Sequence, residues 1–311
     1  MKRTAVLCDL LGTRYPLMQG GMAHISDARL AAAVSNGGGL GIISAASGNA
    51  EQIAAQIDEA RRLTDRPFGV NIMLRGDNID EIAKLLAEKK VAVVTTGAGS
   101  PAAYIPMWRE AGIKVIPVIS TAAMAQLMEK SGADAVVAEG TESGGHVGEM
   151  TTMALVPQVC DAVSIPVIAA GGIADGRGFA AAVMLGACGV QIGTRFLAAA
   201  ECPISEEYKT RVLKAKDTST IVTGRRLGHP VRSLKSVFSR NYAKAEYTDI
   251  SDEALEAMAV GTLRAAVVDG DPKKGCFLAG QISGLVNQEQ PAAEIVAEIM
   301  AQAEKLLGGT L

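Results

Sequence analysis

One histidine stands where the chain could do proton chemistry. His146 lies in Glu139-Gly140-Thr141-Glu142-Ser143-Gly144-Gly145-His146-Val147-Gly148, a glycine-dense stretch after a short apolar run. Imidazole titrates near neutral pH and can give or take a proton there. The flanking glycines would let it lie against a flat ligand. Of the other two histidines, His24 follows Gln19-Gly20-Gly21-Met22 and reads as a packing residue. His229, in Gly228-His229-Pro230, reads equally as structural or as lining an entrance. Histidines on three separate segments lack metal-ligand spacing, so no metal site is expected. Glu139 and Glu142 stand three apart, a spacing open to a glycosidase pair or to plain loop hydrogen bonding.

Two glycine motifs suggest a phosphate. Ala170-Gly171-Gly172-Ile173 and Gln191-Ile192-Gly193-Thr194-Arg195 each follow an apolar run, about 20 residues apart. In α/β barrels the loops after the seventh and eighth strands form phosphate sites from backbone N–H groups, to which the Thr194 hydroxyl could add a donor. Two ordinary tight turns remain the plainer reading. Gly97-Ala98-Gly99-Ser100-Pro101-Ala102 matches a dinucleotide fingerprint, but the run that follows, Val118-Ile119-Ser120-Thr121, lacks the acidic residue that would hold a ribose. It reads instead as a glycine-rich strand-to-helix turn at a barrel mouth.

These groups need a scaffold, and the chain repeats one unit. Short β-branched runs at 15–19, 40–43, 68–72, 92–95, 114–119, 135–138, 167–170 and 190–192 read as strands. Amphipathic stretches at 27–35, 50–63, 78–88, 101–110, 122–130, 153–163 and 177–185 read as helices, several preceded by Ser, Asn, Thr or Asp caps. Runs such as KVIPVIS have the pattern of strands buried on both faces. Strand–helix alternation reaching eight strands points to an α/β fold, a TIM (β/α)8 barrel, with an open doubly wound sheet as the competing architecture. After Phe196 the rhythm breaks. The expected division is a barrel of residues 1–199 and 276–311, with 200–275 an inserted cap after strand eight and 291–307 a closing helix. The cap's Arg225, Arg226, Arg232, Lys235 and Arg240 suggest either a solvated face or contact with an acidic partner.

Composition narrows the classes. Thirty Lys and Arg against 33 Asp and Glu leave a formal charge of −3, with no basic excess for nucleic acid or membrane surfaces. The five cysteines are odd in number and widely spaced, fitting a reducing cytoplasm rather than a disulfide frame. The basic start gives way to an apolar stretch broken by Asp9, so no signal peptide is expected. The uncharged run 30–50 is interrupted by glycines and polar residues and reads as a turn rather than a membrane span. Glycine is in excess, 34 of 311 residues, above the usual share of about 7%.

The motifs PLMQGGM, GGLGIIS, FGVNIML, TTGAGSP, AEGTESGGHVG, PVIAAGGIADG and QIGTRF occur in order. Together they resemble the type II flavin-dependent enoyl-acyl-carrier-protein reductases and the related nitronate monooxygenases. The resemblance runs from about residue 10 to 290 and includes GHPVRSLK and GQISGLV. Nitronate monooxygenases typically carry Gln where Glu139 stands, so Glu139 resembles the reductases, as do 214–235 and 279–286.

The resemblance implies FMN as cofactor, with NADH or NADPH as co-substrate, an enoyl-acyl carrier protein as partner and a homodimer. Gly20, Gly21, Met22, Ser44, Asn71, Glu139, Gly144 and Gly145 would line the flavin. Gly171, Gly172, Gly193 and Thr194 would hold its phosphate beside Gln191, and a monovalent cation could assist. His146 matches the family's catalytic histidine, stabilising the thioester enolate and donating a proton. His24 departs from the family pattern and takes no role. The competing expectations are a nitronate monooxygenase, with His146 as base, and a flavin-binding protein without this turnover.

Overall fold

Before the first expected strand, the chain forms a helix that its periodicity did not announce, α1 (Lys2–Leu11). Leu7 and Leu11, one turn apart on one face, join a buried cluster with Met18, Ile42, Val93, Ile116, Val137 and Ile168. The computed structural model describes residues 2–46, 48–75 and 78–309. Met1 and Ser47, part of the N-terminal and uncharged-run readings above, lie outside the described residues.

The strands are β1 (Leu17–Gln19), β2 (Gly41–Ser44), β3 (Phe68–Met73), β4 (Val93–Gly97), β5 (Lys114–Ile119) and β6 (Val136–Glu139), then a two-residue β7 (Gly145–His146), β8 (Val167–Ala170) and β9 (Gly189–Ile192). All but β7 form one parallel sheet in the order β1-β9-β8-β6-β5-β4-β3-β2. Its two ends meet: Met18 bridges Leu40, and Leu40 N–H donates to Leu17 O at 2.8 Å. The sheet is therefore a closed (β/α)8 barrel, which excludes the open doubly wound alternative.

Strand side chains alternate between two buried environments. Met18, Ile42, Val93, Ile116, Val137 and Ile168 fill the interior with α1 beneath them. Their neighbours Leu17, Val136, Ala138, Val167, Ala169 and Val190 pack outward under helices, as do Ile43, Val70, Val94 and Val115. That is why these strands read as continuous apolar runs.

The ring of helices is α2 (Ala28–Asn36), α3 (Ala50–Leu63), α4 (Ile79–Glu88), α5 (Ile105–Glu110), α6 (Ala122–Lys130), α7 (Thr152–Ala162) and α8 (Gly176–Met184). Asp27, Thr121 and Asp175 cap their helices through side-chain oxygens, and Asn49 forms a capping box with Gln52. The spacing expected α5 from 101, but it begins at Ile105. Pro101 starts a separate turn whose carbonyl accepts from both Tyr104 N–H (2.8 Å) and Ile105 N–H (3.1 Å).

Beyond β9 come α9 (Glu206–Leu213), the antiparallel β10 (Thr220–Thr223) and β11 (Val231–Leu234), then α10 (Val237–Ala245), α11 (Asp252–Ala259) and α12 (Thr262–Val267). The closing helix α13 (Ala292–Leu307) packs against α8 and α2. The expected basic cluster is dispersed by hydrogen bonding. Arg226 donates to Thr248 O (3.0 Å) and Ile250 O (2.7 Å), and pairs with Asp252. Buried Arg232 donates twice to Thr141 O, at 3.1 and 3.0 Å, and Lys235 Nζ donates to Thr218 O at 2.7 Å. Arg225 and Arg240 stay exposed.

Packing between α2 and β2 requires glycine at 41, where a Cβ would lie 1.8 Å from the Ala31 carbonyl oxygen. Neither backbone can yield cheaply. Gly41→Ala is expected to cost about 3 kcal/mol or more, at the upper end of overpacking penalties, read as a lowered urea midpoint. An unchanged midpoint would refute this account of the α2–β2 contact.

Candidate functional site

The interior alternation continues one step upward and changes character. Two residues beyond Ile42, Val93 and Val137 on their strands come Ser44, Thr95 and Glu139; Asn71 on β3 and Gln191 on β9 stand on the same inward face. Above the apolar layers the barrel thus carries a polar one at its C-terminal end, where α/β barrels build their sites. Asn71 Nδ2 donates to Thr95 Oγ1 at 2.9 Å.

A cavity of about 560 Å³ opens over this layer. Its lining brings together the residues expected to hold the cofactor and the expected catalytic histidine: Gly20, Gly21, Met22, Ser44, Asn71, Glu139, Gly144, Gly145, His146, Gly171, Gly172, Gln191, Gly193 and Thr194. Gly97 and Ala98, from the motif that mimics a dinucleotide fingerprint, line it too. His229 is at its rim, whereas His24 is not among the lining residues. Sequence reasoning missed Arg75, which also lines the cavity. Its place just past the C-terminal end of β3 was the available signal.

Close approach explains several glycines. A Cβ on Gly21 would sit 2.3 Å from Asn71 Cβ, and one on Gly144 would sit 2.7 Å from the backbone of Ala279 and Gly280. Gly171 and Gly172 hold φ of +88° and +73°, the left-handed region. Among the described residues nothing accepts from the N–H groups of Gly172 and Gly193. Thr194 Oγ1 accepts from Gly280 N–H at 2.8 Å and keeps its own proton to donate. Unmatched donors at the end of β8 and β9 fit an anion.

The two glutamates separate. Glu142 accepts from Thr152 N–H at 3.0 Å through both oxygens, and its Oε2 lies 2.9 Å from the Thr152 hydroxyl, at the start of α7. Its role is loop hydrogen bonding, as the plainer reading held. Glu139 reaches into the cavity from a position packed round by protein. Burial pushes its carboxyl up to about 7, against a smaller opposing effect of the Ser143 hydroxyl.

His146 is held from above. Its short strand β7 pairs with β11, His146 facing Val231, and Val147 N–H donates to Pro230 O at 3.0 Å. Desolvation, then the charges of His229 and Arg75, hold its pKa below the ordinary histidine value. This shift favours the uncharged imidazole, which can donate an N–H hydrogen bond or accept a proton. Among the described residues no cluster of His, Cys, Asp or Glu could hold a metal ion, and no helix is long and apolar enough to cross a membrane.

The barrel with its histidine above a glycine-walled cavity is that of a superfamily of oxidoreductases, as comparison with known proteins shows. The nitronate monooxygenase family model matches residues 4–89 and 73–302, and the chain belongs to that family. FabK from Thermotoga maritima is 46% identical, with 97% of each chain covered and a TM-score of 0.95. A nitroalkane oxidase from Streptomyces ansochromogenes is 29% identical, covering 97% of this chain and 99% of its own, with a TM-score of 0.87. A relative from Mycobacterium tuberculosis, (3aS,4S,5R,7aS)-5-hydroxy-7a-methyl-1-oxo-octahydro-1H-indene-4-carboxyl-CoA dehydrogenase, is 34% identical over 97% of both chains.

Burial of Glu139 predicts a pH dependence. The folded state prefers the neutral acid, so its contribution is present below about 4.5 and is lost as pH rises through about 7. Glu139→Gln should raise the stability of the cofactor-free protein at pH 8 by about 2 kcal/mol, a shift of this size being discounted for cavity water. It should change little at pH 4. Equal effects on the melting temperature at both pH values would contradict the assignment.

Proposed function

We propose that the chain reduces the 2,3-double bond of trans-2-enoyl thioesters carried on acyl carrier protein, using FMN and a reduced nicotinamide nucleotide. The observation that carries this reading is the match to FabK along 97% of the chain at 46% identity, FabK being an enoyl-acyl-carrier-protein reductase of the type the motifs resemble. Glu139, where nitronate monooxygenases typically carry Gln, favours the same side. The carboxyl-CoA dehydrogenase supports a thioester substrate, since acyl carrier protein and coenzyme A present acyl groups on the same kind of arm.

The residues fit a phosphorylated flavin. Gly172 and Gly193 offer free N–H groups, with the Thr194 hydroxyl beside them, for the phosphate. Gly20, Gly21, Met22, Ser44, Asn71 and Gln191 would bear on the rest of the cofactor, with Gly144, Gly145 and Glu139 opposite. Bound there, FMN supplies hydride chemistry. Residues 200–275 act as a cap over it.

The chain's own part centres on His146. As hydride reaches the β-carbon of the enoyl thioester, negative charge grows on the thioester oxygen. An imidazole N–H directed at that oxygen stabilises the charge and delivers the proton. Pairing of β7 with β11 holds the histidine's backbone in place.

A second reading has a specific support. An uncharged His146 also suits a base, and the family model and the nitroalkane oxidase favour nitronate oxidation by oxygen. An absorbance spectrum followed by titration of the dithionite-reduced protein with crotonyl thioester separates the two. Return of the oxidised flavin spectrum under anaerobic conditions supports the reductase. Oxygen-dependent consumption of a nitronate, without reoxidation by the thioester, supports the alternative. His146→Ala should retain FMN and lose about 10²- to 10⁴-fold in kcat, the usual worth of general acid catalysis. Near-wild-type turnover would remove His146 from the mechanism.

A further inference from the structure

We infer that Arg75 and His229 form a subsite for the phosphate groups of the substrate entering the main cavity, a deepening that rests on the reductase reading. The two residues come from different parts of the chain. Arg75 lies just past β3 on the barrel, and His229 lies in the turn joining β10 to β11. Both line the cavity that His146 lines, and both bear electrostatically on its imidazole.

Neither is used by the fold. Arg226 and Arg232 are tied to carbonyls and Arg177 to Asp175, but among the described residues Arg75 and His229 make no side-chain hydrogen bond or ion pair with protein. The cavity's carboxylates do not neutralise them. Glu142 is taken up at the start of α7, and Glu139 lies on the inward layer at the end of β6, where burial favours its neutral acid. Among the described residues, the Arg75 guanidinium therefore lines the mouth with no carboxylate paired to it.

Arg75 also borders a neighbouring space. A second cavity of about 560 Å³ shares Arg75, Ala46 and Met73 with the first. A ligand whose reactive end lies by His146 in the first cavity can therefore place a phosphate against the guanidinium, which lines the same cavity. Guanidinium groups bind phosphate through paired N–H donors. Both substrates of the proposed reaction carry such a group at a distance from the reacting atoms. One is the diphosphate of a nicotinamide dinucleotide, the other the phosphodiester of a pantetheine arm.

The test is calorimetric titration of the FMN-saturated protein with matched probes. ADP against adenosine tests the nucleotide source, and 4′-phosphopantetheine against pantetheine tests the thioester source. At least one phosphorylated probe should bind tenfold or more tightly than its partner, and Arg75→Gln should abolish that ratio. His229→Asn should reduce it. Which pair shows the ratio identifies the source. Equal affinity within both pairs, or a ratio that survives Arg75→Gln, would overturn the subsite. Flavin content and melting temperature of the variants report folding. Because these titrations need no turnover, failure of the crotonyl-thioester assay would sink the reductase reading while leaving the subsite decided by binding.

Discussion

Between β1 and β2 the barrel is joined by one backbone bridge, Met18 with Leu40, and by the side chain of Gln19. Gln19 Oε1 accepts from Ile42 N–H at 3.0 Å, while Nε2 donates to Ser26 Oγ at 2.8 Å and to the Gly20 carbonyl. This amide is fully buried, so breaking one of its bonds would leave a polar group with no water to replace the partner. The same network places the loop after β1: Met22 N–H donates to Ser26 Oγ at 2.9 Å, and Ser44 N–H to Ser26 O at 2.9 Å. Barrel closure and the shape of the Gly20–Met22 wall are thus one constraint.

Once the barrel is closed, strand alternation does the rest. An inward position must be apolar where α1 and the lower layers fill the interior, and polar where the barrel opens. Asn71 illustrates the coupling. Its side chain bonds Thr95 across the layer, its carbonyl accepts from Ala45 N–H at 2.8 Å, and its Cβ leaves room for no residue but glycine at 21. A larger residue at 21 would displace the layer itself, so the cavity wall and the hydrogen-bonded layer are specified together.

Much of this was legible because its signals are local. Eight short apolar runs located the barrel strands within one or two residues, and residues at or just past the ends of those strands line one cavity. What escaped has a common cause. α1 shows its apolar face only through Leu7 and Leu11, too short a pattern to separate from a loop. The Arg226 and Arg232 side chains read as a charged face because their partners, the carbonyls of Thr248, Ile250 and Thr141, carry no signature in side-chain type. Arg75 was overlooked because nothing in its own segment marks it. Its meaning comes from His146 and His229, which lie far along the chain and meet it only in three dimensions.

His146 shows why the segment beyond β9 belongs to the chemistry as much as the barrel does. The loop after β6 could not hold an imidazole in one place by itself, since glycines at 144, 145 and 148 leave its backbone free. Three contacts remove that freedom. β7 pairs with β11, Gly144 packs against the backbone of Ala279 and Gly280, and Gln281 N–H donates to Glu142 O at 2.9 Å. Arg232, opposite Gly145, reaches back to the Thr141 carbonyl and fixes the loop's entry. The glycines permit close approach to a flat ligand below, and β11 supplies from above the rigidity they lack. A histidine so held is oriented by one part of the chain over a cavity built by another, and burial and the charges of His229 and Arg75 around it favour its uncharged form.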